Sequence, residues 1–376
     1  MNRKEIAEIK RNFKDESGFF TINQVLLSFV DAEKNITCKN HKLYSIMSGS
    51  EGELIRETLK KVLGGSIGKT LIEYQFPNVE YEEDGAQNVL YKTLKSKLID
   101  EEQIDSYLKR IVSNIEYTST FAIITGHCTY TLKSKDKNDE DTGDFDNNYD
   151  FLITAFCPVN IEDDSLIYDD FTNVIISKDY KNRIVSKTPT DGFIYPVLSD
   201  GMSDINRVMY FTQNPKDPNT SIVNNVLGCE FIMTAVEEKV SFNNVLESIV
   251  GDEMSYDVIT KVNDKLREVV DISKNDTEVT VIDDIKLRDI LIDTGISDEK
   301  ISSVSQVYQK TVGDKPLTAS NLVVPRTTIQ TPNITVNISK NATDKVHTRV
   351  VDGHRCLIID LDDPNIKVNG LDLKID

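Results

Sequence analysis

Apolar residues three and four apart open the chain. Ile6, Ile9 and Phe13 share one face and predict a short amphipathic helix. Ile22–Val30 is rich in β-formers and reads as a strand, with Asp31–Asn35 as the turn after it. Ser50 and Glu53 have capping-box spacing, and Ile55, Leu59 and Val62 then repeat on one helix face. Gly64 and Gly65 fall where a left-handed C-terminal cap is expected. Beyond them Ile72, Tyr74 and Phe76 alternate along a strand over Lys69–Phe76 that Pro77 ends. Two further helices are expected near Gln87–Leu98 and Glu101–Tyr117.

A β-rich stretch follows. Thr118–Leu132 and Tyr149–Pro158 read as strands joined by the long polar connection Lys133–Asn148. Shorter strands are expected at Asn173–Ser177, Phe193–Leu198 and Arg207–Thr212, and Asn214–Asn219 is a turn. From Ser241 the period changes again: Val258, Val262, Leu266 and Val269 keep helical spacing, and helices are expected around Ile285–Ile292 and Asp298–Val312. Near the end Asp352-Gly353 and Asn369-Gly370 signal two tight hairpins. The first sets Val346 opposite Ile359, Thr348 opposite Leu357 and Val350 opposite Arg355, so Val346, Val350, Leu357 and Ile359 share a face. The second pairs Val368 with Leu371, Ile366 with Leu373 and Lys367 with Asp372. The expected fold is α+β: a mixed or antiparallel sheet with packed helices, a helical segment, and a C-terminal antiparallel β-meander. The expected division is an α+β domain over 1–240, a helical segment over 241–313 and a small β domain over 320–376.

Charge changes this picture in one place. The chain carries 43 basic and 62 acidic side chains, a net charge of −19. Residues 133–319 hold 19 basic and 36 acidic of these, so the excess sits in the middle. Such a surface repels nucleic acid and anionic lipid, and reads either as a solvated face or as a dock for a basic partner. No apolar run is long enough to span a membrane, and the first residues lack the apolar stretch of a signal peptide. Cys38, Cys128, Cys157, Cys229 and Cys356 are odd in number and widely spaced, which reads as reduced thiols in a cytoplasm.

Candidate chemistry is sparse. Gly64–Thr70 ends like a phosphate-binding loop, with Lys69 as its charge, but Leu63 stands where the first glycine belongs. The predicted order is also helix then strand, the reverse of a P-loop, so a helix terminus is the preferred reading. His347, His354 and Cys356 invite a metal reading. The hairpin register places His347 opposite Ile358, roughly 13 Å along the strand from His354, and zinc ligands must meet at one point. His127 and Cys128 are neighbours on a strand and point to opposite faces, and a structural role is preferred for each. The acidic run Asp136–Asp150 has Asp141 where a calcium loop requires glycine. Asp191-Gly192, Asp200-Gly201 and Asp204 flank one strand. Three carboxylates there suit a divalent cation or acid/base work, whereas Asp-Gly is also a common turn, the reading preferred here. The helices across Thr294–Ser297 form a plain hairpin, because Ser297-Asp298-Glu299-Lys300 lacks the start of a DNA-reading helix.

Several strings, taken in order, resemble an uncharacterised bacterial family, the domain of unknown function numbered 4317. They are Lys4-Glu5-Ile6 with Ile9-Lys10, Cys157-Pro158-Val159-Asn160, Gly192-Phe193-Ile194-Tyr195-Pro196, Leu227-Gly228-Cys229, Asp352-Gly353 with Arg355-Cys356-Leu357, and Val368-Asn369-Gly370. Where that family tends to Asp-Arg, this chain has Asp200-Gly201, so no ionic role carries over to position 201. The resemblance implies a cytoplasmic bacterial protein and carries no activity, so it assigns no catalytic residue.

The expectation is therefore a cytoplasmic, non-catalytic interaction or regulatory protein with a protein partner, no cofactor and no metal. One alternative is an enzyme with a carboxylate site at Asp191, Asp200 and Asp204. Another is a nucleic-acid-associated stress or defence protein, which would need a basic stripe drawing on Arg326, Lys340, Lys345, Arg349 and Arg355.

Overall fold

A computed structural model describes the chain outside residues 15–17, 118, 133–146, 162–165, 170, 178–181, 200, 274–279, 314–315, 325, 361–366, 369–370 and 373–376. It divides into two compact units, the first carried by Met1–Val236 and the second by Glu237–Asn275 with Thr280–Asp376.

The first unit begins with α1 (Arg3–Asn12), β1 (Phe20–Val30), β2 (Ile36–Leu43) and α2 (Gly49–Val62). β3 (Leu71–Gln75), α3 (Ala86–Lys95) and α4 (Glu101–Asn114) follow, then β4 (Phe121–Leu132) and β5 (Asn147–Ile161). Seven short strands complete it: β6 (Leu166–Asp169), β7 (Val174–Ser177), β8 (Arg183–Val185), β9 (Asp191–Tyr195), β10 (Val197–Ser199), β11 (Met202–Asp204) and β12 (Arg207–Thr212). The main sheet runs β2-β1-β4-β5-β9-β12-β3, with antiparallel neighbours throughout. β2 and β3 lie on opposite edges, and α2, between them in sequence, packs against β4, β5 and β9.

Strand alternation sorts the core into two clusters. Leu26, Ile123, Leu152, Phe193 and Val208 pack with Leu90, Tyr107 and Ile111 of α3 and α4. Val25, Ile124, Ile153, Ile194 and Met209 pack with Ile9, Leu59 and Val62 of α1 and α2. Gly192 lies under α2: a Cβ there would stand 2.4 Å from the Thr154 carbonyl and 2.9 Å from Val62. The glycine of the Gly192–Pro196 string thus sets how closely the helix approaches the sheet.

Local chemistry starts the helices, with one shift from expectation. α2 is capped by Ser48, whose oxygen accepts from the Glu51 N–H at 3.3 Å, so the helix begins earlier than Ser50 and Glu53 predict. Ser48 and Ser50 both have a glutamate three residues on. Tyr44 breaks the tie by donating to the Gly52 carbonyl at 3.0 Å with its ring against that glycine. α1 has a full capping box between Asn2 and Glu5, which accounts for the glutamate in Lys4-Glu5-Ile6. Gly64–Thr70 joins the end of α2 to β3, a helix C-terminus followed by a strand. The backbone of positive φ falls on Gly65 and Gly68 rather than on Gly64.

The second unit holds α5 (Ala235–Val250), α6 (Tyr256–Ile272), β13 (Val281–Ile282), α7 (Asp284–Ile292), α8 (Asp298–Ser302), α9 (Val304–Thr311), β14 (Leu317–Thr318) and α10 (Ala319–Leu322). The helix expected over Asp298–Val312 is broken at Ser303, where the Ser303 hydroxyl bonds the Lys300 carbonyl at 2.7 Å and competes with the helix ladder.

The C-terminal strands are β15 (Arg326–Gln330), β16 (Thr335–Ser339), β17 (Val346–Val351), β18 (His354–Ile359), β19 (Lys367–Val368) and β20 (Leu371–Asp372), paired as successive antiparallel hairpins. Val346 opposes Ile359 and Lys367 opposes Asp372, the registers that the two tight turns predict. Ile366 and Leu373 lie outside the described residues. The apolar face of β17–β18 is only partly covered: Val346 is buried, whereas Val350 and Ile359 are exposed.

Candidate functional site

The three aspartates of the sequence reading have separate surroundings. Asp191 and Gly192 lie inside β9 and are fully paired with β5 and β12, so the turn expected there is a buried strand. Apolar Phe193, Ile194 and Tyr195 on both faces continue the ladder back through Asp-Gly. Asp191 takes a 2.7 Å bond from Tyr117 Oη on one carboxylate oxygen and a 2.6 Å bond from Tyr210 Oη on the other. Thr190 Oγ1 is 2.9 Å from Tyr117 Oη, and Tyr210 also reaches the Asn219 carbonyl. Burial pushes both phenols far up, and the Asp191 charge pushes them further, so they stay protonated donors. The arrangement is a clasp that ties β9 to β12 and to the segment after α4.

Asp204 ends β11, opposite Val197 of β10. Its oxygens accept from the Asn206 N–H at 3.0 Å and lie 3.2 Å from Arg207 Nε. Asp200 lies outside the described residues; Gly201 beside it has φ 75°, as a tight turn between β10 and β11 requires. Asp191 and Asp204 therefore have no partner in common in the bonding described. Among the described residues no three His, Cys, Asp or Glu side chains gather as a metal site. Most of the run Asp136–Asp150 falls outside the description; Asp150 accepts from Thr129 Oγ1 at 2.6 Å.

The other polar candidates also resolve into structure. His347 Nε2 is 3.3 Å from Asp360, and Cys356 Sγ lies near the His354 carbonyl. Arg349 opposes Cys356 while Arg355 opposes Val350, so the hairpin register does not set these two arginines side by side. Glu80 holds Arg110 at 2.8 Å beneath Leu227-Gly228-Cys229, and a Cβ at Gly228 would fall 2.2 Å from the Glu80 carboxyl. With φ at 63°, that position requires glycine on both counts.

What stands out on the first unit is a β-arm. β5 runs past the end of the main sheet, and its last residues, Val159–Ile161, pair with β8. β6 pairs with β7, Leu166 opposite Ser177 and Asp169 opposite Val174. The β6–β7 hairpin lies, in sequence, inside the β5–β8 ladder. At its tip Tyr168 Oη donates to Asn173 Oδ1 at 2.7 Å, and Asn173 takes φ 53°. At its base the Arg183 guanidinium lies 5.6 Å from the centre of the Phe29 ring.

The arm's described apolar side chains face solvent. Phe171 is 98% exposed, Leu166 72% and Ile175 68%. Val174, Ile175 and Ile176 follow one another in β7 and are all exposed. Successive strand residues point to opposite faces, so β7 exposes apolar side chains on both faces of this hairpin. Glu162, Asp163, Asp164, Asp169 and Asp170 interrupt it in sequence. The sequence reading had the Asn173–Ser177 strand and the acidic excess, but not their conjunction. The available signal was an apolar run, Val174-Ile175-Ile176, without the alternation of a half-buried strand.

The family model of a domain of unknown function (DUF4317) matches residues 1–371 of the chain. No curated protein and no solved structure matches it.

Proposed function

The chain belongs to the DUF4317 family, described only as a domain of unknown function, and from its own surface we propose that it is a non-catalytic interaction protein that binds a protein partner along its β-arm. The observation that carries the reading is the consecutive exposure of Val174, Ile175 and Ile176 on a two-stranded hairpin. Exposed strands are ordinarily blunted by charge, proline or a bulge, and an isolated hairpin is marginal in water. An apolar hairpin of this kind gains its stability from a covering surface. The partner suited to it presents an extended apolar segment with lysine or arginine beside it. Strand addition satisfies the arm's outer backbone groups, and the carboxylates adjacent to it in sequence suit a basic flank. A second copy of the chain is the poorer fit, because each copy carries a net charge of −19. We place the protein in the cytoplasm, where its five free cysteines remain reduced.

The test is a double substitution, Phe171→Ser with Ile175→Ser, compared with the unaltered protein by affinity purification and mass spectrometry. Both sites are exposed, so stability should change by no more than about 0.5 kcal/mol each. The expected outcome is a protein of unchanged melting temperature that loses a partner whose capture weakens with salt. If the variant, and a protein lacking Leu166–Ser177, keep every partner, the arm is not the docking site.

A further inference from the structure

The second unit contains a cavity of about 230 Å³ between α5 and α6. One water requires roughly 10–15 Å³ by this measure, and small-molecule pockets begin near 300 Å³, so the space suits a compact ligand. Its walls are helical stripes. Phe242, Leu246 and Val250 repeat along α5, and Val258, Val262 and Leu266 along α6. Val324 closes a third side. Its backbone is pinned from α6: Asn263 Oδ1 accepts from the Val324 N–H at 2.8 Å, while Asn263 Nδ2 and Arg267 both donate to its carbonyl. That wall is held whether or not the cavity is filled.

One charged group lines this apolar space. Lys239 lies on α5 one turn before Phe242 and Asn243, half-buried, with its ammonium 5.5 Å from the centre of the Phe242 ring. It donates to the Leu322 carbonyl, which leaves two of its three hydrogens. Among the described ion pairs none includes Lys239. The adjacent Glu238 is engaged elsewhere, by Thr318 and Asn321. Burial pulls the ammonium down to about 8, with no carboxylate among the described residues holding it up. At neutral pH it is still largely protonated, so the cavity presents a cation at the end of an apolar slot.

We propose that this cavity binds a small carboxylic acid with an apolar body, its carboxylate on Lys239 and its hydrocarbon along Leu246, Val258 and Val262. The pairing is a matter of charge and shape: an anionic head supplies a counter-charge that none of the described ion pairs gives Lys239, and the hydrocarbon covers the apolar walls. Asn243, one turn from Lys239 on the same face, offers an amide to the second carboxylate oxygen.

Sodium octanoate and octanol, titrated into the full chain by calorimetry, separate head from tail. Octanoate should bind saturably, and octanol at least about tenfold more weakly, since it lacks the charge-assisted bond to the ammonium. Lys239→Met keeps the stem and removes the charge; it should abolish the preference for the acid, with an unchanged near-ultraviolet spectrum. Absence of saturable octanoate binding, equal binding of octanol, or full octanoate affinity in Lys239→Met would each overturn the assignment.

Discussion

At the scale of single residues, the fold decides which buried polar atoms find neighbours and which do not. Asp191 is the clearest case: a carboxylate at the start of a strand, its two oxygens taken by tyrosines from β12 and from beyond α4. His127 is another. It sits opposite Gln24 beside a bulge in β1, and Asn23 Nδ2 lies 3.0 Å from its Nδ1. Its Nε2 is buried without a protein partner, as is Gln24 Oε1. Burial lowers its pKa, against Asp150, which raises it, and with Lys97, which lowers it. The sign follows. Below the ordinary value of 6.5 the unfolded chain binds the proton first, so His127 contributes stability that is present above that pH and is lost as pH falls. Urea midpoints measured from pH about 7.5 to about 5 should fall more steeply for the natural protein than for His127→Gln. Parallel slopes would mean that His127 is not the group responsible.

At the scale of elements, the sheet's closeness to α2 depends on a residue with no side chain. Alanine at Gly192 must displace both the Thr154 carbonyl, which is backbone, and the Val62 side chain. Gly192→Ala should cost about 1–3 kcal/mol, read as a lower urea midpoint with unchanged slope. A neutral result would show that both α2 and the β5 backbone at Thr154 can give way. Elements with strong periods were legible. β1, β12, α2, α4 and the 346–359 hairpin appear close to where apolar spacing and turn chemistry put them. β2 was not, because every residue of Ile36–Leu43 is exposed or only partly covered, and its partner β1 supplies the pairing that its composition does not signal. Phe193–Leu198 reads as a strand from its composition, but Asp191-Gly192 before it reads as a turn; the structure pairs both residues with β5 and β12, and that interior pairing outweighs the local turn preference.

For the whole molecule, charge is the governing quantity. A net charge of −19 is self-repelling. Raising ionic strength from about 0.01 M to 0.15 M shortens the screening length from about 30 Å to about 8 Å, so the melting temperature should rise over that range. A constant or falling melting temperature would indicate that local ion pairs such as Lys39 with Glu101 and Asp105 offset the repulsion. The sequence by itself determined the α+β class, the antiparallel C-terminal hairpins, the acidic middle and the role of Gly64–Thr70 as a helix-to-strand connection. Those properties rest on period, turn chemistry and formal charge, which are local or additive along the chain. Only the tertiary structure decided that Asp191 and Asp204 serve different neighbours, that Lys239 stands among apolar walls, and that Val174–Ile176 is left uncovered. Each of these depends on which distant residues share a face, and no periodicity along the chain records that.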